Sequence, residues 1–208
     1  MSHLRFLWAK LTQNETALAQ FGLTETELLS RLAEKSVAVV GNARALGQTA
    51  HGAHIDSADI VIRINSAPMP NAKSHGRKTT WMAVSTPPSK ETLANRAPSL
   101  ILWMTPKRKR LGWNIPRDFS FYLNRSNDWV RLSAALGTRP TTGVMIIDRL
   151  SRSKARKIDL YGFDFFASLS LSGERQAEQV PHDFDRERVF IDALLASDPR
   201  VHLHKMNA

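Results

Sequence analysis

The chain has 208 residues, no cysteine and a formal net charge of +10 at pH 7. That length supports one domain with a sizeable core. The missing cysteines exclude a disulfide framework and thiolate metal sites, and they permit a reducing compartment. No apolar run reaches the roughly 18 residues of a membrane-spanning helix, and the N-terminus lacks the apolar core of a signal peptide. The surplus of cations favours anionic partners: nucleic acid, an acidic membrane face, a nucleotide donor or an acidic glycan.

In chain order, residues 3–20 read as a weakly amphipathic helix with Leu4, Leu7, Trp8 and Leu11 on one face. Thr24 and Glu27 form a capping box that opens a second helix through Ala33. These elements, residues 1–35, precede the first strand and look least tied to the sheet. Residues 36–208 read as an α/β core. Its first unit is Ser36 to Pro68, SVAVVGNARALGQTAHGAHIDSADIVIRINSAP. There the apolar run Val37–Val40 turns at Gly41-Asn42, and a helix leads to a second strand, Asp59–Ile64, ending in Asn65. Residues 68–75 read as a loop, and Thr79–Val84 and Ser99–Met104 as strands. Residues 105–125 form a basic, irregular segment holding Lys107-Arg108-Lys109-Arg110. Helices follow over 128–136 and from Pro140 to about Ser153. A strand over Lys157–Tyr161 ends at Gly162, residues 167–180 read as a loop, a helix runs from Pro181 or His182 to Ala196, and a short strand covers Val201–His204. Without repeats or a linker this is a single domain, a Rossmann-like doubly wound and mostly parallel sheet.

Both strands of the first unit deliver an asparagine to their C-terminal ends, the edge where open α/β sheets bind ligands. GNARALG lacks the dinucleotide-binding glycine spacing, and no Gly-Lys-Ser/Thr follows as in a phosphate-binding loop. Asn42 and Asn65 can hold a nucleotide through their amides, although satisfying turn backbone is the commoner use. Thr141, Thr142 and Gly143 open a helix directly after Pro140, an arrangement suited to an anion and equally to an ordinary N-cap. His182 precedes a helix, where the dipole favours the neutral imidazole a general base needs; a lone surface histidine is the plainer alternative. Glu187, five positions on, lies off that face of the helix. Asp183-Phe184-Asp185 has the form of a metal–nucleotide signature, but its place in a first helical turn favours capping. The basic runs read as a solvated face by default. The sharper readings are a nucleic-acid surface using Trp103, Trp113, Phe119 and Phe121, or a lobe facing an acceptor or an anionic membrane.

Three stretches together resemble glycosyltransferase family 29, the sialyltransferases. The large sialylmotif is similar to VAVVGNA and IDSADIVIRINSAP. The small motif is similar to Pro140-Thr141-Thr142-Gly143 through Asp159-Leu160-Tyr161-Gly162-Phe163, and His182 with Glu187 matches His-x4-Glu. The resemblance implies a variant of the GT-A-like fold and an inverting, metal-independent transfer of sialic acid, or a related acidic sugar such as Kdo, from CMP to a glycan hydroxyl. No cofactor is implied beyond the donor. Gly41, Asn42, Asn65, Thr141, Thr142, Gly143 and Gly162 would hold the donor, with Arg63 and Glu187 in support, and His182 would be the base. Animal members carry an N-terminal anchor and a disulfide between the motifs. This sequence shows neither, so the resemblance implies a bacterial-type cytoplasmic member, peripheral at most to the inner membrane, with no specific nucleic-acid partner. The family's further histidine, which assists the leaving phosphate, has no match between Phe163 and Val180. Arg175, Lys154 or the 107–110 run are the candidates to replace it, and a non-catalytic CMP-binding protein is the alternative that gap leaves.

Overall fold

The computed structural model describes residues 2–163 and 183–206. Three helices come first: α1 (His3–Leu11), α2 (Glu15–Ala19) and α3 (Glu25–Leu32). The region read as one helix is two, because Gln13 turns to φ +52° and Asn14 starts α2 by accepting from the Ala17 N–H at 3.0 Å. The capping box at Thr24 and Glu27 is formed, with both reciprocal bonds present.

The sheet follows. β1 (Ser36–Val40) leads through a 3₁₀ turn (Arg44–Gln48) and α4 (Gly52–Ser57) to β2 (Ile60–Ile64). Then come α5 (Ala72–His75), β3 (Trp81–Val84), α6 (Lys90–Arg96) and β4 (Leu100–Trp103). A second 3₁₀ turn (Arg108–Arg110) and α7 (Asn114–Asp118) precede β5 (Ser120–Leu123). The chain continues with α8 (Ser126–Leu136), α9 (Thr142–Ser151), β6 (Lys157–Tyr161), α10 (Phe184–Ser197) and β7 (Val201–Leu203). The segment 105–125 is therefore ordered. Its strand β5 is only four residues long, sits at the sheet edge and follows a basic run and Pro116, so its alternation is too short to register as a strand in the sequence.

The seven strands among the described residues are all parallel and run in the order β5-β4-β3-β2-β1-β6-β7. The chain winds outward from β1 to β5, crosses back over the sheet through α8 and α9, and restarts beside β1 as β6. The order reverses between β1 and β6, and a reversal of this kind leaves a crevice at the C-terminal ends of the strands. Both faces are covered, which is why the strands are apolar without strict alternation. One face packs Val37, Val39, Ile62 and Leu160 against α3, α8, α9 and α10. The other packs Met82, Ile101, Trp103 and Phe121 against Phe6 of α1, Leu18 of α2 and Leu93 of α6. A third apolar cluster joins Ala38, Val40, Val61 and Tyr161 to Leu46 and Ile55.

The first 35 residues are bound to this sheet more firmly than their sequence suggests. Leu28 and Leu32 belong to the main core, and the Leu23 N–H donates to the Phe121 carbonyl at 2.7 Å. Among the described residues no helix is long and apolar enough to cross a membrane.

Candidate active site

The crevice is built on a close crossing of two loops. The Gly41 N–H donates to the Tyr161 carbonyl at 2.8 Å, and the Ala43 N–H to the Gly162 carbonyl at 3.1 Å. A Cβ on Gly41 would stand 2.4 Å from that Gly162 oxygen, and Gly162 itself adopts φ +71°. The glycines at the ends of β1 and β6 are thus required by the approach of the two chains. They leave Asn42 half-buried at the rim.

At the end of β2, Asn65 adopts φ +50°, the left-handed region asparagine tolerates better than most residues. Its N–H donates to the Ala83 carbonyl at 2.9 Å. Its Oδ1 accepts from the Ser85 N–H at 2.9 Å, and its Nδ2 lies 3.5 Å from Thr142 Oγ1. Thr142 Oγ1 in turn donates to Ser85 Oγ at 2.7 Å. Asn65 therefore ties β2, β3 and the start of α9 into one polar cluster. Arg96 of α6 clamps the same turn from below, donating to the Asn65 carbonyl at 3.0 Å and to that of Ala67.

α9 is buried along nearly its whole length and presents only its N-terminus to the crevice. Thr141 is the N-cap, its Oγ1 accepting from the Val144 N–H at 3.3 Å. A capping-box glutamate normally comes from the same helix. Here Glu187 of α10 takes that part, accepting from the Thr141 N–H at 2.6 Å and from its hydroxyl at 2.9 Å. Glu187 is 2% exposed, and burial pushes its carboxyl up to about 7; the two Thr141 bonds oppose that shift and Asp183 adds to it. Asp183 caps α10, accepting from the Arg186 N–H at 3.1 Å, the role expected of it.

Gly143 makes room for a ring. A Cβ there would meet Phe163 Cε1 at 2.8 Å and Ile64 Cδ1 at 3.4 Å, and a Cβ on Gly41 would meet Phe163 Cε2 at 3.3 Å. Phe163 thus stands between the end of β1 and the start of α9, forming one wall of the crevice. The start of α9 with the dipole behind it and the Asn65 amide lie at the same edge, and Asn42 stands at its rim. Such an arrangement suits a phosphate or carboxylate attached to a polar heterocycle or sugar.

The structure therefore brings Gly41, Asn42, Asn65, Thr141, Thr142, Gly143 and Gly162 to one edge, with Glu187 behind them. Arg63 is not among them. On a strand successive side chains alternate, so Arg63 points to the opposite face from Ile62 and Ile64. There its Nε donates to the Lys78 carbonyl at 2.9 Å and its Nη2 to that of His75 at 2.9 Å. Burial, then repulsion from Arg96, lowers its guanidinium to about 10. Lys154 is also remote: it precedes β6, and its carbonyl accepts from the Glu34 N–H just ahead of β1, at the other edge of the sheet. Of the two described candidates for the leaving-phosphate role, Lys154 and the 107–110 run, the run is the one placed beyond the C-terminal end of a strand, β4. His182 and Arg175 lie outside the described residues.

Ser85 and Arg96 are cluster members that the sequence reading missed. Ser85 had a usable signal, since it follows an apolar strand directly, as Asn65 does. Arg96 had none, because it acts on carbonyls some thirty positions away. A separate cavity of about 330 Å³, lined by Met69, Pro70, Ala72, Gly76, Arg77 and Asn95, shares no residue with this cluster. Among the described residues no group of three or more histidine, aspartate or glutamate side chains is placed to hold a metal ion.

Comparison with known proteins gives a family and a fold. The family model of glycosyltransferase family 29 (sialyltransferase) matches residues 3–111. The structure is similar to that of a mammalian sialyltransferase, with a TM-score of 0.61 and 21% identity over 87% of this chain and 78% of that one. The same comparison with a mammalian sialyltransferase in complex with Gal-beta-1-3GalNAc-ortho-nitrophenol gives a TM-score of 0.58 and 20% identity, over 87% and 78%. The sialyltransferase CstII from Campylobacter jejuni, in complex with a substrate analogue, cytidine-5'-monophosphate, gives 0.56 and 15%, over 85% and 82%. No sequence among curated proteins matches the chain.

Proposed function

Because the chain belongs to glycosyltransferase family 29, the sialyltransferases, we propose that it moves sialic acid, or a related acidic sugar such as Kdo, from a CMP donor to a glycan hydroxyl. One observation carries this reading. The Gly41–Asn42 turn, Asn65, the N-terminus of α9 and Gly162 meet at the reversal point of the sheet, with Asn65 and Thr142 in one polar cluster. The similarity to a sialyltransferase structure determined with CMP supports the nucleotide.

In this reading Asn42 and Asn65 hold the nucleotide and its phosphate. The N–H groups of Thr142 and Gly143 and the positive end of α9 face the donor's negative charge. Phe163 excludes water from one side of the crevice. His182 takes the proton from the acceptor hydroxyl as that oxygen attacks the anomeric carbon, on the face opposite the departing CMP. A single displacement of this kind inverts the anomeric centre, as water does in an inverting hydrolase. The bond between the anomeric carbon and the phosphate oxygen breaks, and the charge that develops on CMP is met by fixed N–H donors. Glu187 acts at one remove by holding Thr141, and so the start of α9, in place. It is a positioning residue.

Parallel incubations with CMP-sialic acid and CMP-Kdo, with and without glycan acceptors, test the proposal. The expected result is acceptor-dependent CMP release from one donor, unaffected by a chelator, with an inverted product anomer. His182→Ala should lower that release by about 10²–10⁴-fold while CMP binding persists. A protein that binds no CMP at millimolar concentration contradicts the donor assignment. One that binds CMP and transfers nothing is a non-catalytic member of the family.

A further inference from the structure

Helix α1 has two apolar faces. Phe6 and Ala9 turn inward, 1% and 0% exposed, and pack beneath the sheet. Leu4, Leu7, Trp8 and Leu11 remain in solvent, between 37% and 78% exposed. At about 100° per residue these four fall in one stripe, directly opposite Phe6 and Ala9. Arg5 and Lys10 lie on the two flanks between the faces, and the helix contains no acidic residue. A contiguous outward stripe of three leucines and a tryptophan carries a solvation cost that marks an interaction surface.

The neighbourhood of α1 is basic. The helix packs against the 3₁₀ turn Arg108–Arg110. Arg108 is buried there and paired with Glu15 at 2.7 Å, whereas Lys107, Lys109 and Arg110 are exposed. Repulsion from Arg139, and then from Arg110, holds the Lys107 ammonium below the ordinary lysine value. The positive surface thus continues from α1 through this turn toward Arg139, two residues ahead of Thr141 and the crevice. Trp113 of the same lobe stacks on His3 at the start of α1, with ring centroids 5.2 Å apart.

We infer that α1 and the adjoining basic turn form a docking surface for an anionic lipid bilayer. The Leu4–Leu11 stripe enters the boundary between headgroups and acyl chains, while Arg5 and Lys10 extend along their aliphatic stems to the phosphates. Lys107, Lys109 and Arg110 meet the anionic headgroups beside it. Charge complementarity selects this occupant. A second copy seated on the same face would press like-charged turns of two +10 chains together. A nucleic acid would satisfy the cations and leave the stripe in water. The inference stands apart from the transferase reading, since it uses none of the residues assigned to the crevice.

Flotation of the full chain with phosphatidylcholine vesicles and with mixed phosphatidylcholine–phosphatidylglycerol vesicles tests it. The chain should float with the mixed vesicles and stay behind with the neutral ones. The triple variant Leu4→Ser, Trp8→Ser, Leu11→Ser should lose binding by about tenfold or more, and Lys109→Glu and Arg110→Glu by about fivefold each. A second readout does not depend on how the triple variant folds. Brominated lipid should quench a component of the wild-type tryptophan emission that is missing in Trp8→Phe. Vesicle binding that ignores the stripe substitutions, with no such quenching, overturns the inference in favour of charge alone. Absence of vesicle binding, with reversible self-association that the stripe substitutions abolish, overturns it in favour of a second copy.

Discussion

Helices α1 and α9 are of similar length and both are rich in large apolar residues, yet they place their chemistry in opposite ways. α9 buries Thr142 through Leu150 without a break, so its sides are sealed and only its end reaches the crevice. That end is held by groups from three other elements: Asn65, Ser85 and Glu187. α1 buries only Phe6 and Ala9 and exposes its opposite side. A helix sealed on all sides can offer a ligand only its terminal N–H groups and dipole, whereas a helix with one free face can offer area. The first is suited to a small anion and the second to a surface.

The largest effect that tests this contrast lies within α1 itself. Phe6→Ala should cost about 3–5 kcal/mol of stability, as truncation of a packed aromatic does. Trp8→Ala, two residues away on the exposed face, should stay within about 0.5 kcal/mol of wild type. Denaturant titration of both variants measures the difference. Similar losses at the two positions would mean that the stripe is covered, and the contrast between the helices would collapse.

Next in size is the clamp at the start of α9. Asn65→Ala removes the acceptor of the Ser85 N–H and places alanine in a left-handed conformation, for a combined cost of about 2–3 kcal/mol. Asn65→Gly should recover the backbone part of that loss and none of the amide's. If CMP affinity falls equally in both variants while stability differs, the amide itself serves the nucleotide. Affinity that tracks stability would reduce Asn65 to a structural role.

The smallest effect is a slope. The folded Glu187 carboxyl keeps its proton up to about pH 7, against an ordinary value of 4.5. The folded state therefore binds more protons than the unfolded chain between those values. The resulting stability is complete below about pH 4.5 and is lost as pH rises through about 7. Glu187→Gln has no such proton, so its stability should decline less than wild type's between pH 5.5 and pH 7.5 in urea titrations. Parallel slopes would show that Glu187 does not titrate in that range.

Much of this arrangement is legible in the sequence. The apolar runs at Val37, Asp59, Thr79, Ser99 and Lys157, with the short run at Val201, mark six of the seven strands among the described residues. Their polar ends mark the binding edge, because parallel strands buried on both faces leave a plain signal and a sharp stop. β5 was not legible, since four residues at a sheet edge carry too little pattern. In the site, local rules about strand ends and helix caps made Asn42, Asn65 and the Thr141–Gly143 start candidates, and the family resemblance chose between a ligand and a purely structural use for them. Arg63 was grouped with them as a supporting residue of the resemblance, although the alternation of a strand sends it to the far face. Glu187 was found as a motif residue, but its partner was not, because a cap supplied by another helix leaves no trace in local spacing. The bonds of Arg96 are invisible for the same reason.

The central claim is that the edge between β1 and β6 holds the nucleotide, and amide-resolved NMR during a CMP titration tests it most directly. The account predicts that the largest shifts fall on the Asn42 and Asn65 side-chain amides and on the backbone amides of Thr142 and Gly143, all fitting one binding curve. Shifts confined to Lys107–Arg110, with those four positions unmoved, would contradict it.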